Sequence, residues 1–140
     1  MTILDTNVVS EIMLSSPADR VLNWFARIRA ADELFITTIT VAEILYGIEL
    51  LPAGKRRDSL KADAENMFAE DYAARILVFD EPSARSFAHI AGSRRRMGRP
   101  IAELDAQIAA IAEVNNATVA TRNVVDFENC GIRVANPWVD

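Results

Sequence analysis

The sequence is poor in several residue types that mark specialised proteins. It has one cysteine, Cys130, so no disulfide can form within the chain. Glycine and proline number five each among 140 residues, which excludes collagen-like and low-complexity chains. No apolar run reaches the roughly 18 residues of a membrane span, and the first residues lack the basic and apolar regions of a secretory signal. We therefore expect a cytoplasmic protein without structural disulfides and without a membrane partner.

Positive charge is also scarce. The chain has 15 basic and 20 acidic residues and a net charge of −5, which argues against a general nucleic-acid coat. It contains no G-x-x-x-x-G-K segment, so a phosphate-binding P-loop is excluded. Hydrophobic residues make up 51% and charged residues 25%, as in ordinary globular proteins. The length and composition predict one domain over residues 1–140.

Five short apolar runs, with little alternation, predict strands that are covered on both faces. These runs are Thr2–Asp5, Leu34–Thr38, Ile76–Phe79, Ala117–Thr121 and Ile132–Ala135. Helical patterns lie between them, the clearest at Ile39–Leu50, Arg56–Ala74, Ser83–Arg95 and Ile101–Val114. This alternation predicts an α/β fold, a three-layer α/β/α sandwich with a central, mainly parallel sheet. A site is then expected at the carboxyl ends of the strands.

Four acidic residues are predicted to meet at that edge. Asp5 ends the first strand, Asp126 follows the fourth, and Glu43 lies near the start of the helix after the second. Asp105 falls within the apolar stripe of the last helix, where an inward carboxylate is costly unless it is paired or binds a metal. That stripe consists of Ile101, Leu104, Ile108, Ile111 and Ala112. Four close carboxylates repel one another and favour a cation between them. Because Mg²⁺ prefers oxygen ligands and activates water, the residues indicate metal-dependent hydrolysis of a phosphate ester.

Each carboxylate also has a purely structural interpretation. The two aspartates that follow strands are of the type that forms turns and helix N-caps. Glu43 stands three residues after Thr40, which is the spacing of a capping box. An arginine of the run Arg94–Arg96 could neutralise Asp105 in a buried salt bridge. The pattern of residues alone leaves these alternatives open.

The segments that carry the four acids resemble the four motifs of PIN-domain ribonucleases. They read ILDTN at 3–7, VAEILYG at 41–47, DAQIA at 105–109 and ATRNVVDF at 120–127. The motifs occur in the family's order, span nearly the whole chain and show no departure at the acidic positions. More narrowly, the chain resembles the VapC-type toxins of bacterial toxin–antitoxin pairs, and among these the FitB-like group.

This resemblance implies an α/β/α sandwich and an endoribonuclease dependent on Mg²⁺ or Mn²⁺. Such a toxin of a type II pair cleaves RNA, often transfer RNA, and thereby inhibits translation. The catalytic, metal-binding residues implied are Asp5, Glu43, Asp105 and Asp126, with direct contact assigned first to Asp5 and Asp105. Supporting polar residues would be Thr6, Asn7, Thr121 and Asn123. The implied partners are RNA, a second copy of the chain, and an antitoxin whose DNA-binding N-terminal half leads to a tail that blocks the site, all within a larger toxin–antitoxin assembly.

An acidic protein still has to approach a polyanion, and a few arginines are candidates for phosphate contact. They are Arg94, Arg95, Arg99 and Arg122. Contact with phosphates would make RNA binding depend on salt. The alternative for the cluster before the last helix is a solvated helix face.

Two other functions compete with the nuclease. A phosphatase with an aspartyl nucleophile usually has a second aspartate two residues on, where this chain has Asn7, and a lysine near the site, whereas no lysine follows Lys61. A protein-binding module that keeps the PIN fold without catalysis is the other alternative. The presence of all four acids argues against it.

Overall fold

Five parallel strands form the centre of the structure, a computed structural model that describes residues 1–140. The first half of the chain forms β1 (Thr2–Leu4), α1 (Thr6–Ile12), α2 (Asp19–Ala31), β2 (Leu34–Thr37), α3 (Thr38–Glu49) and α4 (Lys55–Glu70). The second half forms β3 (Ile76–Leu77), α5 (Glu81–Arg96), α6 (Glu103–Val114), β4 (Thr118–Ala120), a 3₁₀ turn (Val124–Phe127) and β5 (Arg133–Ala135). The strands lie side by side in the order β3-β2-β1-β4-β5.

Helices cover both faces of the sheet, and each face has its own hydrophobic core. Ile3 of β1 and Phe35 of β2 pack with buried residues of α5 and α6 on one face. Leu4 and Ile36 point the opposite way, into a core built with α1 to α4. Successive residues of a strand face opposite sides, which explains why strands buried on both faces read as continuous apolar runs. None of the helices has the length and apolar character needed to cross a membrane.

The order of the strands fixes where a site can form. From β1 the chain moves to β2 and β3 on one side, and then returns to the other side of β1 as β4 and β5. The direction of winding therefore reverses between β1 and β4, and parallel α/β sheets bind ligands in the crevice at such a reversal. Asp5 and Thr121 are the first residues after these two strands.

Several boundaries differ from the prediction. The strands are shorter than predicted. Helix α4 ends at Glu70 rather than Ala74, because the φ of Ala74 is +58°, in the left-handed region that helices avoid. Helix α6 begins at Glu103, so Ile101 precedes it, and Leu104 is exposed although it was predicted in the apolar stripe. The buried face of α6 is made largely of alanines, which permit close packing on α5.

Candidate active site

Asp5 is held by three hydrogen bonds at the end of β1. Its side chain is only 5% exposed. One carboxylate oxygen accepts from the Thr6 amide at 2.8 Å, and this makes Asp5 the N-cap of α1. The other accepts from the Thr121 hydroxyl at 2.8 Å and the Asn7 side-chain amide at 3.1 Å. The predicted N-cap is therefore real, but it leaves the carboxylate at the winding reversal and fixes its orientation.

Thr121 joins the first and fourth motifs. Its hydroxyl oxygen, besides donating to Asp5, accepts from the Asn7 side chain at 3.2 Å and the Asn123 backbone amide at 3.0 Å. The side-chain oxygen of Asn7, Oδ1, in turn accepts from the Arg122 backbone amide at 3.1 Å. Of the four predicted supporting residues, Asn7 and Thr121 thus bond Asp5 through their side chains and Thr6 through its backbone amide. Asn123 bonds Thr121 through its backbone amide.

Glu43 is oriented by Thr6 and not by a capping box. Its carboxylate accepts from the Thr6 hydroxyl at 2.8 Å. Helix α3 begins earlier than the capping-box interpretation requires: its N-cap is Thr37, whose hydroxyl accepts from the Thr40 amide at 3.2 Å. Since Thr6 bonds Asp5 through its amide and Glu43 through its hydroxyl, one residue links the two carboxylates.

The pKa of Asp105 reflects the charges of the whole site. Burial, and after it repulsion from Asp5, Asp126 and Glu43 in that order, together raise the pKa of Asp105 to about 6. Coulombic coupling of this kind shows that the four carboxylates face the same site. No arginine lowers the pKa, and Asp105 takes part in none of the four salt bridges of the chain. The buried salt bridge with residues 94–96 is therefore absent.

The Asp5 carboxyl has a raised pKa as well, and burial is the largest cause. Hydrogen bonds from Thr121, Thr6 and Asn7 act against that rise because they stabilise the ionised form. Asp105 has no such bonds. The fold thus stabilises one carboxylate with donors and leaves the other under mutual repulsion.

Asp126 lies on the 3₁₀ turn after β4, and its side chain is exposed. Its backbone is anchored by Arg94, which was predicted to contact phosphate. That prediction is wrong for this structure, because Arg94 is 4% exposed and its guanidinium donates to the carbonyls of Arg99, Asp126 and Glu128 at 2.7, 2.9 and 2.8 Å. The helical pattern held a signal for this, since Arg94 lies one turn after the buried Ile90 on the inward face of α5.

The other arginine candidates are accessible. Arg95 is exposed. The Arg99 side chain is about half exposed and pairs with Glu128 at 2.9 Å. Arg122 is exposed, and its guanidinium lies over the Trp138 ring, 5.1 Å from the centroid. Sequence reasoning did not single out Trp138, because nothing in a linear pattern places a residue sixteen positions away beneath Arg122.

The donor set suits a hard divalent cation. It consists of carboxylate and hydroxyl oxygens, which Mg²⁺ and Mn²⁺ favour over softer ligands. As the side chains stand, no three acidic, histidine or cysteine groups form a ready metal cage. Mg²⁺ needs none, because it keeps several waters and commonly uses one or two carboxylates together with substrate phosphates.

Comparison with known proteins agrees with this fold. The family model for the PIN domain matches residues 2–129, and the chain belongs to the PIN-domain family, in the group that includes FitB and VapC proteins. It is 43% identical to the plasmid stability protein StbB of Pseudomonas syringae pv. tomato over 99% of each chain. Identity is 39% to the toxin FitB of Neisseria gonorrhoeae over 100% of each chain, and 37% to the VapC ribonuclease Y4jK of Sinorhizobium fredii over 99% and 98%.

Solved structures lead to the same group. The crystal structure of FitAcB from Neisseria gonorrhoeae superposes with a TM-score of 0.92, at 38% identity over the full length of both chains. FitAB bound to an IR36 DNA fragment gives 0.90, at 39% identity over 99% of this chain and 96% of that one. The predicted PIN-like α/β fold is confirmed.

Proposed function

We propose that this protein is an endoribonuclease, the toxin of a type II toxin–antitoxin pair, and that it cleaves RNA with Mg²⁺ or Mn²⁺ bound among the four carboxylates. The observation that carries the proposal is the Asp105 carboxyl, whose pKa is raised to about 6 by burial and by repulsion from the three other acids. A divalent cation bound among these carboxylates would offset their mutual repulsion. The names of the relatives, a VapC ribonuclease and a toxin, support RNA as the substrate.

The four carboxylates would have different roles in holding the cation. Asp5 and Asp105 would hold the cation directly, Asp126 would reach it directly or through water, and Glu43 would orient waters at the Thr6 side. Thr121 favours the ionised form of Asp5 and orients its carboxylate through a 2.8 Å hydrogen bond. When bound, the cation supplies positive charge for the phosphodiester and lowers the pKa of a bound water.

Arg122 is the best placed candidate for contact with RNA phosphates. It follows Thr121 directly, its backbone amide is bonded to Asn7, and no carboxylate occupies its guanidinium. The Trp138 ring beneath it supports the guanidinium from one face, and leaves its donors free for the paired contacts that arginine makes to phosphate.

A metal titration tests the core of the proposal. We expect Mg²⁺ or Mn²⁺ to raise the melting temperature of the purified chain, because a ligand that binds only the folded state stabilises it. Purified chain should cleave bulk transfer RNA with either metal and leave 5′-phosphate ends, and EDTA should stop the reaction. Cleavage that persists in EDTA would contradict metal dependence, and no cleavage with either metal would favour the protein-binding module.

We also propose an antitoxin partner and a homodimer. A groove of about 280 Å³ opens beside the site, between α1, α3 and α4. Thr6 and Glu43 line one end, and Met13, Ile48 and Leu60 line the apolar part. An amphipathic segment of an antitoxin would fit such a groove and end at the carboxylates. The solved FitAB and FitAcB complexes of relatives support this kind of assembly.

Growth of cells tests the toxin role. Induction of this chain alone should arrest growth, Asp5→Ala should not, and co-expression of the antitoxin encoded beside it should restore growth. Equal growth with the wild-type chain and Asp5→Ala would contradict a toxin that acts through this site. Light scattering of the purified chain would show whether it is a dimer.

A further inference from the structure

Arg94 is a buried cation without an acidic partner. Its side chain is 4% exposed, and it takes part in none of the salt bridges of the chain. A buried charge is costly unless hydrogen bonds compensate it. Here the compensation comes from three backbone carbonyls, with a fourth, longer contact of 3.5 Å to the Cys130 sulfur.

Two of the carbonyls belong to the segment that carries Asp126, and the third belongs to the connection before α6. One terminal nitrogen of Arg94 donates to Asp126 and Glu128, at 2.9 and 2.8 Å. The Nε atom donates to Arg99 at 2.7 Å, and Arg99 lies in the connection that leads to the helix of Asp105. One guanidinium therefore ties the segment that carries Asp126 to the connection that leads to Asp105.

Asp126 has few other anchors. Its side chain is exposed, and the residue lies on a 3₁₀ turn of only four residues, which begins directly after Asn123. The only other backbone bond that holds it is from its amide to the Asn123 carbonyl, at 3.0 Å. The position of the Asp126 carboxylate consequently depends on how firmly its own carbonyl is held.

We propose that Arg94 is a positioning residue that sets the place of the Asp126 carboxylate, and with it the affinity of the site for its cation, without touching RNA. The proposal rests on the proposed nuclease function. Groups that orient metal ligands from behind typically affect metal affinity or activity by about 10–100-fold when they are removed. We expect a loss in that range for Arg94.

The test compares Arg94→Met and Arg94→Lys with the wild-type chain. Circular dichroism first establishes that each variant is folded. If Arg94→Met does not fold, the measurements are made on Arg94→Lys, which keeps the charge and some of the donors. Mn²⁺ affinity is measured by calorimetry, hydrogen exchange is followed for residues 123–131, and kcat and KM are measured on RNA. For Arg94→Met we expect Mn²⁺ affinity and kcat to fall about 10–100-fold, exchange to speed up in that segment, and KM to stay unchanged. Arg94→Lys should recover part of each loss.

Arg85→Met is the matched control. Arg85 lies on the same helix and loses the same charge, but it is exposed and pairs only with Glu81 at 2.6 Å. It should leave Mn²⁺ affinity, kcat and exchange at 123–131 unchanged.

Three outcomes separate the possibilities. A folded Arg94 variant with wild-type Mn²⁺ affinity and exchange overturns the positioning role. A raised KM that depends on salt, with unchanged kcat, also overturns it and makes Arg94 an RNA contact after all. If the wild-type chain neither binds Mn²⁺ nor cleaves RNA, the proposed function fails, whereas slower exchange at 123–131 in the wild type than in the variants would still support the structural clamp.

Discussion

Asp5 and Asp126 both follow a strand of the sheet, but the fold holds them differently. Asp5 is buried and accepts three hydrogen bonds through its own carboxylate. Asp126 is exposed, and the contacts that fix it reach only its backbone: its carbonyl accepts from Arg94, and its amide donates to the Asn123 carbonyl. The Asp5 half of the site is thus preorganised, while the Asp126 half depends on a loop.

The difference has a physical origin in the topology. Asp5 lies at the reversal between β1 and β4, where the neighbouring strand β4 brings Thr121 against it and α1 supplies Asn7 two residues further on. Asp126 is delivered by a turn beyond β4, outside the sheet, and loops have fewer packed neighbours to fix a side chain. We infer that the preorganised Asp5 half contributes most of the affinity for the cation and that the Asp126 half adds a smaller part.

Asp5→Asn should have the largest effect. Removing the charge from the preorganised half should lower RNA cleavage by about 10³-fold, the scale at which the loss of one aimed, charge-stabilising group acts. The fold should survive, since asparagine has the same shape. Cleavage rates of purified variants measure this, with Asp63→Asn, an exposed acid on α4, as the control. Undiminished cleavage by Asp5→Asn would remove this residue from the mechanism.

Asp126→Asn should have a smaller effect, about 10–100-fold on kcat, because the loop half adjusts a site that Asp5 already holds. Higher Mn²⁺ concentration should recover part of the activity of Asp126→Asn and little of that of Asp5→Asn. Titration of the cleavage rate against Mn²⁺ measures both. A loss at Asp126 equal to that at Asp5 would break the proposed division of the site.

The smallest expected effect is that of Asp105 on the free energy of unfolding. Its pKa is about 6 in the folded chain and near 3.8 when unfolded, so between these values the folded state binds more protons. The unfolding free energy of the metal-free protein should therefore fall as pH rises from about 4 to 6. Because the group is only partly buried, the change is on the order of 1 kcal/mol after allowance for solvent screening.

Asp105→Asn removes this titration. It should flatten that part of the pH profile and stabilise the metal-free protein at pH 7 by the same amount, while lowering cleavage. Urea unfolding at several pH values measures the profile, and Glu103→Gln, an exposed change in the same helical turn, is the control. If Asp105→Asn keeps the wild-type slope between pH 4 and 6, burial and repulsion of the Asp105 carboxylate are not what destabilise the metal-free protein.

Much of this could be predicted from the sequence. Continuous apolar runs alternating with helical stripes predicted the parallel three-layer sheet, because strands covered on both faces carry little alternation. The segments around Asp5, Glu43, Asp105 and Asp126 matched the motifs of the family that the comparisons confirmed. Element ends were less accurate, as at Ile101 and Leu104, where a periodic pattern continues past the helix or off its buried face.

The roles of the arginines were beyond sequence reasoning. Arg94 and Arg95 look alike in a run of three, yet one is buried against three carbonyls and the other is exposed. The stacking of Arg122 on Trp138 joins residues from two different segments. Such contacts depend on where loops pass in space, which local periodicity does not encode.

The amino-acid sequence by itself determined the class of fold and the identity of the acids, because hydrophobic periodicity and residue chemistry are properties of short segments. Only the tertiary structure decided how each acid is held: three donors around Asp5, one hydroxyl on Glu43, repulsion at Asp105 and a backbone clamp behind Asp126. The physical reason is that hydrogen bonds and electrostatic coupling depend on distances of a few ångströms between residues up to 116 positions apart in the chain.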